Sequence, residues 1–252
     1  MELNLHGKTA LITGASSGVG RSIALALARE GVKVAVGHYR DAQNAKDVVA
    51  QIGQAGSLAV DIDADISGAE ECRSLYQQAK EAFGGIDILV NNAGLWPTNW
   101  IADIPLDEWN KTIDVNLTSV FLLSQLFIQD KRSQTAGGRI LNITSQAAFH
   151  GSTTGHAHYA AAKAGVVAFT VSAAREAAPL GINVNAIALG IVETNMIREA
   201  IKAKPGYYEK RIPVGRVAQP EDIAKIAAFM VSDAAAYITG ATIDATGGML
   251  MR

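Results

Sequence analysis

Thr13-Gly14-Ala15-Ser16-Ser17-Gly18-Val19-Gly20 is the stretch on which the fold turns. An apolar burst at residues 8–13 leads into it, and an amphipathic helical pattern at 18–30 leaves it without a break. Glycine admits backbone conformations closed to other residues and lets a ligand approach the main chain closely. A helix beginning at Gly18 offers unpaired N–H groups and the positive end of its dipole, a natural seat for a pyrophosphate. Glycines at such spacing are common in ordinary loops. Between a strand and a helix they become a dinucleotide-binding signal, with Gly14, Ser16, Ser17, Gly18, Val19 and Gly20 as the contact set.

Outward from this loop, strand and helix patterns alternate to the end of the chain. Residues 8–13, 32–37, 57–62, 86–90, 139–144, 182–188 and 241–244 read as strands, their near-continuous Val, Ile, Leu and Ala content suiting burial on both faces. Helical patterns at 18–30, 41–54, 68–83, 106–128, 159–178 and 220–232 separate them. Such repetition, with right-handed crossovers, predicts an α/β protein. The expected form is a single-domain Rossmann fold over 1–252, a doubly wound parallel seven-stranded sheet flanked by helices. Ligands in such sheets bind at the carboxyl ends of the strands. Two stretches, 95–103 and 193–217, fit neither pattern.

Composition narrows the classes. Of 252 residues 49% are hydrophobic and 18% charged, enough apolar material to exclude disorder. The net charge of −2 is spread without a basic run, so neither nucleic acid nor an anionic membrane is an expected partner. Cys72 is the single cysteine, which excludes a disulfide framework and cysteine-rich metal sites; it reads as a packed or half-exposed thiol. No run approaches the roughly 18 apolar residues that span a bilayer, and a cytoplasmic protein is expected.

The fifth strand pattern ends in Asn142-Ile143-Thr144-Ser145, and Tyr159-Ala160-Ala161-Ala162-Lys163 follows. On a helix, positions i and i+4 share a face, so Tyr159 and Lys163 point together. A free tyrosine titrates near ~10 and exchanges protons poorly at neutral pH. An adjacent ammonium favours phenolate and is expected to lower that value. The reading is a general acid–base pair, with Ser145 holding a substrate oxygen and no metal required.

With the glycine loop, the Ser145–Tyr159–Lys163 set resembles the short-chain dehydrogenase/reductase family over nearly the whole chain. That resemblance implies hydride transfer between a nicotinamide and a ketone or secondary alcohol, Lys163 also bonding the nicotinamide ribose. It implies a fourth catalytic position at Asn116, in Asp114-Val115-Asn116-Leu117. It also implies cofactor contacts from Asn92, Ala93 and Gly94, from Asp65 and Ile66 beside the adenine, and from Gly190, Val192 and Thr194. The usual Pro-Gly after the sixth strand is here Leu189-Gly190.

At the end of the second strand the chain reads Gly37-His38-Tyr39-Arg40-Asp41. No acid occupies the position that binds the ribose hydroxyls of NAD. Arg40, beside Tyr39, suits a 2′-phosphate. Ser17 replaces a basic residue that many NADP-preferring relatives carry, and Asp41 lies close by. NADP(H) is favoured over NAD(H). Residues at about 190–217 are expected to form a substrate lid, with Trp96, Gln146 and His156 as candidate substrate contacts. His150, His156 and His158 read as exposed loop histidines. Ala161 to Gly165 and Gly181 to Asn185 resemble the family's bacterial 3-oxoacyl-[acyl-carrier-protein] reductases. Leu180 stands where those reductases often carry a basic residue, which weakens recognition of an acyl carrier protein, although Lys131 and Arg132 remain nearby. The substrate is either a 3-oxoacyl thioester or a small ketone, cyclic alcohol or sugar. A homotetramer is the family expectation. The rival class is a catalytically silent NAD(P)-sensing Rossmann protein.

Overall fold

Each apolar burst becomes a strand in the computed structural model, which describes residues 2–134, 137–152 and 154–251. The strands are β1 (Thr9–Ile12), β2 (Lys33–His38), β3 (Ala59–Asp63), β4 (Ile88–Asn91), β5 (Gly138–Ser145), β6 (Ile182–Leu189) and β7 (Thr242–Ala245). They form one parallel sheet in the order β3-β2-β1-β4-β5-β6-β7. The helices are α1 (Gly18–Arg29), α2 (Ala42–Gln54), α3 (Ala69–Phe83), α4 (Leu106–Ile113), α5 (Ser119–Gln134), α6 (Ala147–His150), α7 (Ala157–Ala177), α8 (Asn195–Ala203) and α9 (Pro220–Met230).

Side chains alternate across a strand, and the two faces feed two cores. Ile12, Val34, Val36, Ile88 and Val90 pack with Ile23 and Leu27 of α1, Val48 and Ile52 of α2, and Ile223 of α9. Leu11, Ala35, Leu89 and Ile140 pack with Leu75 of α3, Leu123 and Phe127 of α5, and Ala173 of α7. The interior strands are therefore apolar on both faces. The edge strands β3 and β7 are only half-buried, which is why their apolar signal is weaker. Strand order reverses between β1 and β4, opening the crevice where ligands of such sheets bind.

Two departures from the expected layout matter for the site. The helix anticipated over 106–128 is instead α4, a π turn at Asp114–Thr118, and α5. Asn116 sits in that turn, its Nδ2 donating to the carbonyls of Thr112 at 2.9 Å and Leu95 at 3.0 Å. Ser119 Oγ donates to Val115 O at 2.7 Å. Side-chain bonds to the backbone compete with the helical ladder and favour such a bulge. The second departure is at 193–217, which contains α8 and a 3₁₀ turn at Glu209–Arg211. A bridge between Val192 and Ala218 closes the base of this excursion. Val214 N bonds Gly247 O at 3.0 Å, tying it to the chain's last turns. No helix among the described residues is long and apolar enough to cross a membrane.

Candidate active site

The glycine loop is shaped by contacts that leave no room for side chains. A Cβ on Gly14 would lie 2.9 Å from Ala93 Cα, and one on Gly20 would collide with the Gly14 carbonyl. Gly18 has φ +55°, a left-handed backbone that glycine adopts without strain. Thr13 Oγ1 accepts the N–H groups of both Asn92 and Ala93 at 3.0 Å. Asn92 Nδ2 donates to the carbonyls of Thr13 and Gly14 at 2.9 and 3.1 Å. The ends of β1 and β4 are thus locked together under the loop. Ser17, the N-cap of α1, makes no side-chain cap bond, and no acid occupies the first turn. The amides of that turn are open to an anion, the chemistry a pyrophosphate requires.

Across the crevice, Tyr159, Ser145, Lys163 and Asn116 converge. Ser145 stands beside the Tyr159 hydroxyl, where it acts to lower the tyrosine's pKa. Ser145 Oγ also accepts Ala147 N–H at 3.2 Å, which fixes it at the β5–α6 junction. Lys163 Nζ donates to Ile143 O at 2.8 Å and lies 5.8 Å from the Tyr159 ring centroid. Thr144 Oγ1 donates to Lys163 O at 2.8 Å, pinning α7 to β5. A Cβ on Gly94 would stand 2.7 Å from Asn116 Oδ1 and 3.6 Å from Lys163 Nζ, so this glycine marks where asparagine and lysine approach each other.

Electrostatics here differ in one respect from expectation. Burial pushes the Tyr159 hydroxyl above its ordinary value, against the lowering effect of nearby Ser145. Burial also brings the Lys163 ammonium down to about 8. Desolvation disfavours both charged forms and outweighs the attraction that a tyrosine–lysine pair suggests in water.

At the end of β2, Arg40 has φ +51° and its guanidinium lies 5.0 Å from the Tyr39 ring centroid. Among the described residues no carboxylate pairs with that guanidinium. Asp65 lies near the Tyr39 hydroxyl and pushes its pKa up, while the Asp65 carboxyl is held below the usual range chiefly by Ser67. Ile66 lies in the core, where its carbonyl accepts the buried Cys72 thiol at 3.4 Å. Thr194 packs over the glycine loop, its methyl 3.2 Å from where a Gly18 Cβ would be. Val192 is buried, and Gly190 lies against Thr246.

A family model described as enoyl-(acyl carrier protein) reductase matches residues 14–250. A 3-oxoacyl-[acyl-carrier-protein] reductase of Synechocystis sp. is 42% identical over 252 residues, covering 98% of each chain. The Vibrio cholerae reductase of the same name is 39% identical over 99% of this chain and 100% of its own. A short-chain dehydrogenase/reductase from Mycobacterium marinum superposes with a TM-score of 0.93 at 34% identity, covering 100% of this chain and 98% of its own. The chain belongs to the short-chain dehydrogenase/reductase family. It is an NAD(P)-dependent oxidoreductase, like the reductases it matches along its length. A candidate 2-deoxy-d-gluconate 3-dehydrogenase from Agrobacterium tumefaciens, with bound NADP, is also similar: TM-score 0.91 and 35% identity over 100% of this chain and 99% of that one.

Around the entry of α7 the structure departs from the sequence-based expectation. His156 and His158 are not exposed loop residues. His156 is 3% exposed, stacks on Trp96 with ring centroids 4.2 Å apart, and has Nδ1 2.7 Å from Pro97 O. Asn99 N–H donates to Gly155 O at 2.7 Å, so the loop after β4 is zipped to the entry of α7. His158 is fully buried, with Nε2 3.2 Å from Glu108 Oε1 of α4. Only His150 is exposed among these three. Gln146 Oε1, beside Ser145, is buried with no hydrogen-bond partner. Lys131 is buried too, 3.3 Å from Asp87 Oδ1, and is withdrawn from any carrier-protein surface. Arg21, Asn44, Gln51 and Asn195, absent from the sequence reading, line a groove of about 260 Å³ beside Ser16–Gly18. They are ordinary polar residues on helix surfaces, and only the packing of α2 and α8 around the loop gathers them.

Proposed function

We propose that this protein reduces the keto group of a 3-oxoacyl thioester to a secondary alcohol with NADPH. The convergence of Ser145 and Tyr159, with Lys163 Nζ beside the tyrosine ring, carries this reading. The glycine loop, Asn92 to Gly94, Gly190, Val192 and Thr194 would hold the cofactor, and Tyr39, Arg40, Asp65 and Ile66 its adenosine half. Bound there, NADPH supplies the hydride that reaches the carbonyl carbon. Ser145 Oγ–H holds the carbonyl oxygen, and Tyr159 Oη–H gives that oxygen its proton. The raised tyrosine pKa keeps the phenol protonated but weakens it as an acid, so proton donation leans on a nearby positive charge to stabilise the phenolate. Lys163, held by the Ile143 carbonyl, stabilises the phenolate left behind. Asn116, through its bonds to Leu95, holds the loop wall opposite. The segment 190–217 acts as a lid over the substrate.

Identity of about 40% to 3-oxoacyl-[acyl-carrier-protein] reductases supports the thioester. The burial of Lys131 and the apolar Leu180 favour a second reading, in which the acyl group arrives without its carrier or is replaced by a small ketone or sugar. Purified protein with NADPH or NADH, assayed by loss of reduced-nicotinamide absorbance, separates these. The panel comprises a 3-oxoacyl carrier-protein thioester, its small-thiol analogue, a diketone, a cyclic ketone and a keto-sugar. Fastest turnover of the carrier thioester supports the first reading. Equal rates on both thioesters, or turnover of the ketones or sugar alone, supports the second. Tight cofactor binding with no turnover anywhere would revive the silent sensor.

A further inference from the structure

At the end of β2 a buried histidine does work that the cofactor reading leaves unassigned. His38 is 4% exposed and pairs in register with Asp63 of β3. Its Nδ1 accepts the Asp41 N–H at 3.4 Å and stands 3.7 Å from Asp63 Oδ1. An accepting Nδ1 places the ring proton on Nε2, which makes no hydrogen bond and points toward Asp61 Oδ2, 3.6 Å away. Asp63 Oδ1 in turn accepts the Arg40 N–H at 2.9 Å.

Between these two anchors sits Arg40 at φ +51°, a left-handed conformation costly for any residue with a Cβ. Such strain persists only when the surroundings hold it. Here the N–H of Arg40 is held by Asp63 and the N–H of the next residue by His38. We propose that His38 is a positioning residue for cofactor specificity: its Nδ1, accepting the Asp41 N–H, clamps the Tyr39–Arg40–Asp41 turn in the conformation that presents Arg40 to a 2′-phosphate. The inference rests on the NADPH reading above, with Arg40 as the phosphate ligand.

The test is a set of variants assayed with both cofactors. His38→Leu keeps the bulk but removes the acceptor; KM for NADPH should rise about fivefold, the loss of one modest hydrogen bond, with KM for NADH and both kcat values nearly unchanged. His38→Asn, whose Oδ1 takes the place of Nδ1, should restore the NADPH value. In an Arg40→Ala background His38→Leu should have no further effect. An equal rise for both cofactors, or no rescue by Asn, overturns the proposal while leaving Arg40 as the phosphate ligand. If Arg40→Ala itself leaves the NADPH/NADH ratio unchanged, the cofactor reading fails and the clamp with it. Long-range ¹H–¹⁵N correlation of the wild-type imidazoles reads the tautomer without any buried variant having to fold. A protonated Nδ1 on His38, in either the neutral or the charged ring, would also overturn the proposal.

Discussion

At the scale of single residues, the proposed chemistry rests on two groups that burial shifts in opposite directions. Tyr159 stays a phenol, so Tyr159→Phe should lower turnover by about 10²–10⁴ while NADPH binding, followed by fluorescence, remains. Survival of full activity in that variant would dismiss tyrosine as the acid. Lys163 has its value lowered by desolvation to about 8, so its ammonium is present below that pH and lost as pH rises through it. Reduction measured as kcat/KM should therefore fall on the alkaline side with a midpoint near 8, well before a free lysine would titrate. A profile flat to pH 10 would show that Lys163 charge plays no part.

At the scale of elements, the π turn at Asp114–Thr118 is where local sequence and tertiary demand disagree. A helix read from 106 to 128 is a reasonable inference, because apolar periodicity runs through Asn116 unchanged. What interrupts it is the asparagine amide, bonded to Leu95 in a loop twenty-one positions earlier in the chain. Asn116→Ala removes three hydrogen bonds, to Leu95 N, Leu95 O and Thr112 O, and should cost about 2 kcal/mol in urea unfolding. The same variant should lower kcat more than it raises KM, since the wall beside Lys163 loosens. A stability loss with unaltered kinetics would reduce Asn116 to a structural role. The glycine loop was legible in full, because a strand, a turn and a helix N-terminus are consecutive in sequence. The groove residues Arg21, Asn44 and Asn195 were not, because three separate helical segments bring them together.

At the scale of the whole molecule, α5 and α7 carry apolar residues that their own chain does not cover. Phe121 is 43% exposed and meets Phe169 edge-on, and α7 exposes Ala161 and Ala168. A helix apolar around most of its circumference needs a second surface to bury against. A homotetramer built partly on these helices is the expected state in sedimentation analysis, and Phe121→Glu should shift it toward smaller species. A wild-type monomer at micromolar concentration would rule this out.

The chain's own order of residues determined the strand–helix alternation, the phosphate loop and the Tyr159–Lys163 face, because each depends on neighbours within one or two turns. Only the tertiary structure decided that His156 and His158 are buried, that Lys131 is consumed by Asp87, and that burial raises Tyr159 rather than lowering it. It also decided the left-handed turn at Arg40, held by an acid on β3 and a histidine at the end of β2. Periodicity reports which face of an element is apolar. It does not report which distant segment will cover a polar residue, and desolvation and hydrogen-bond partners are set by that cover.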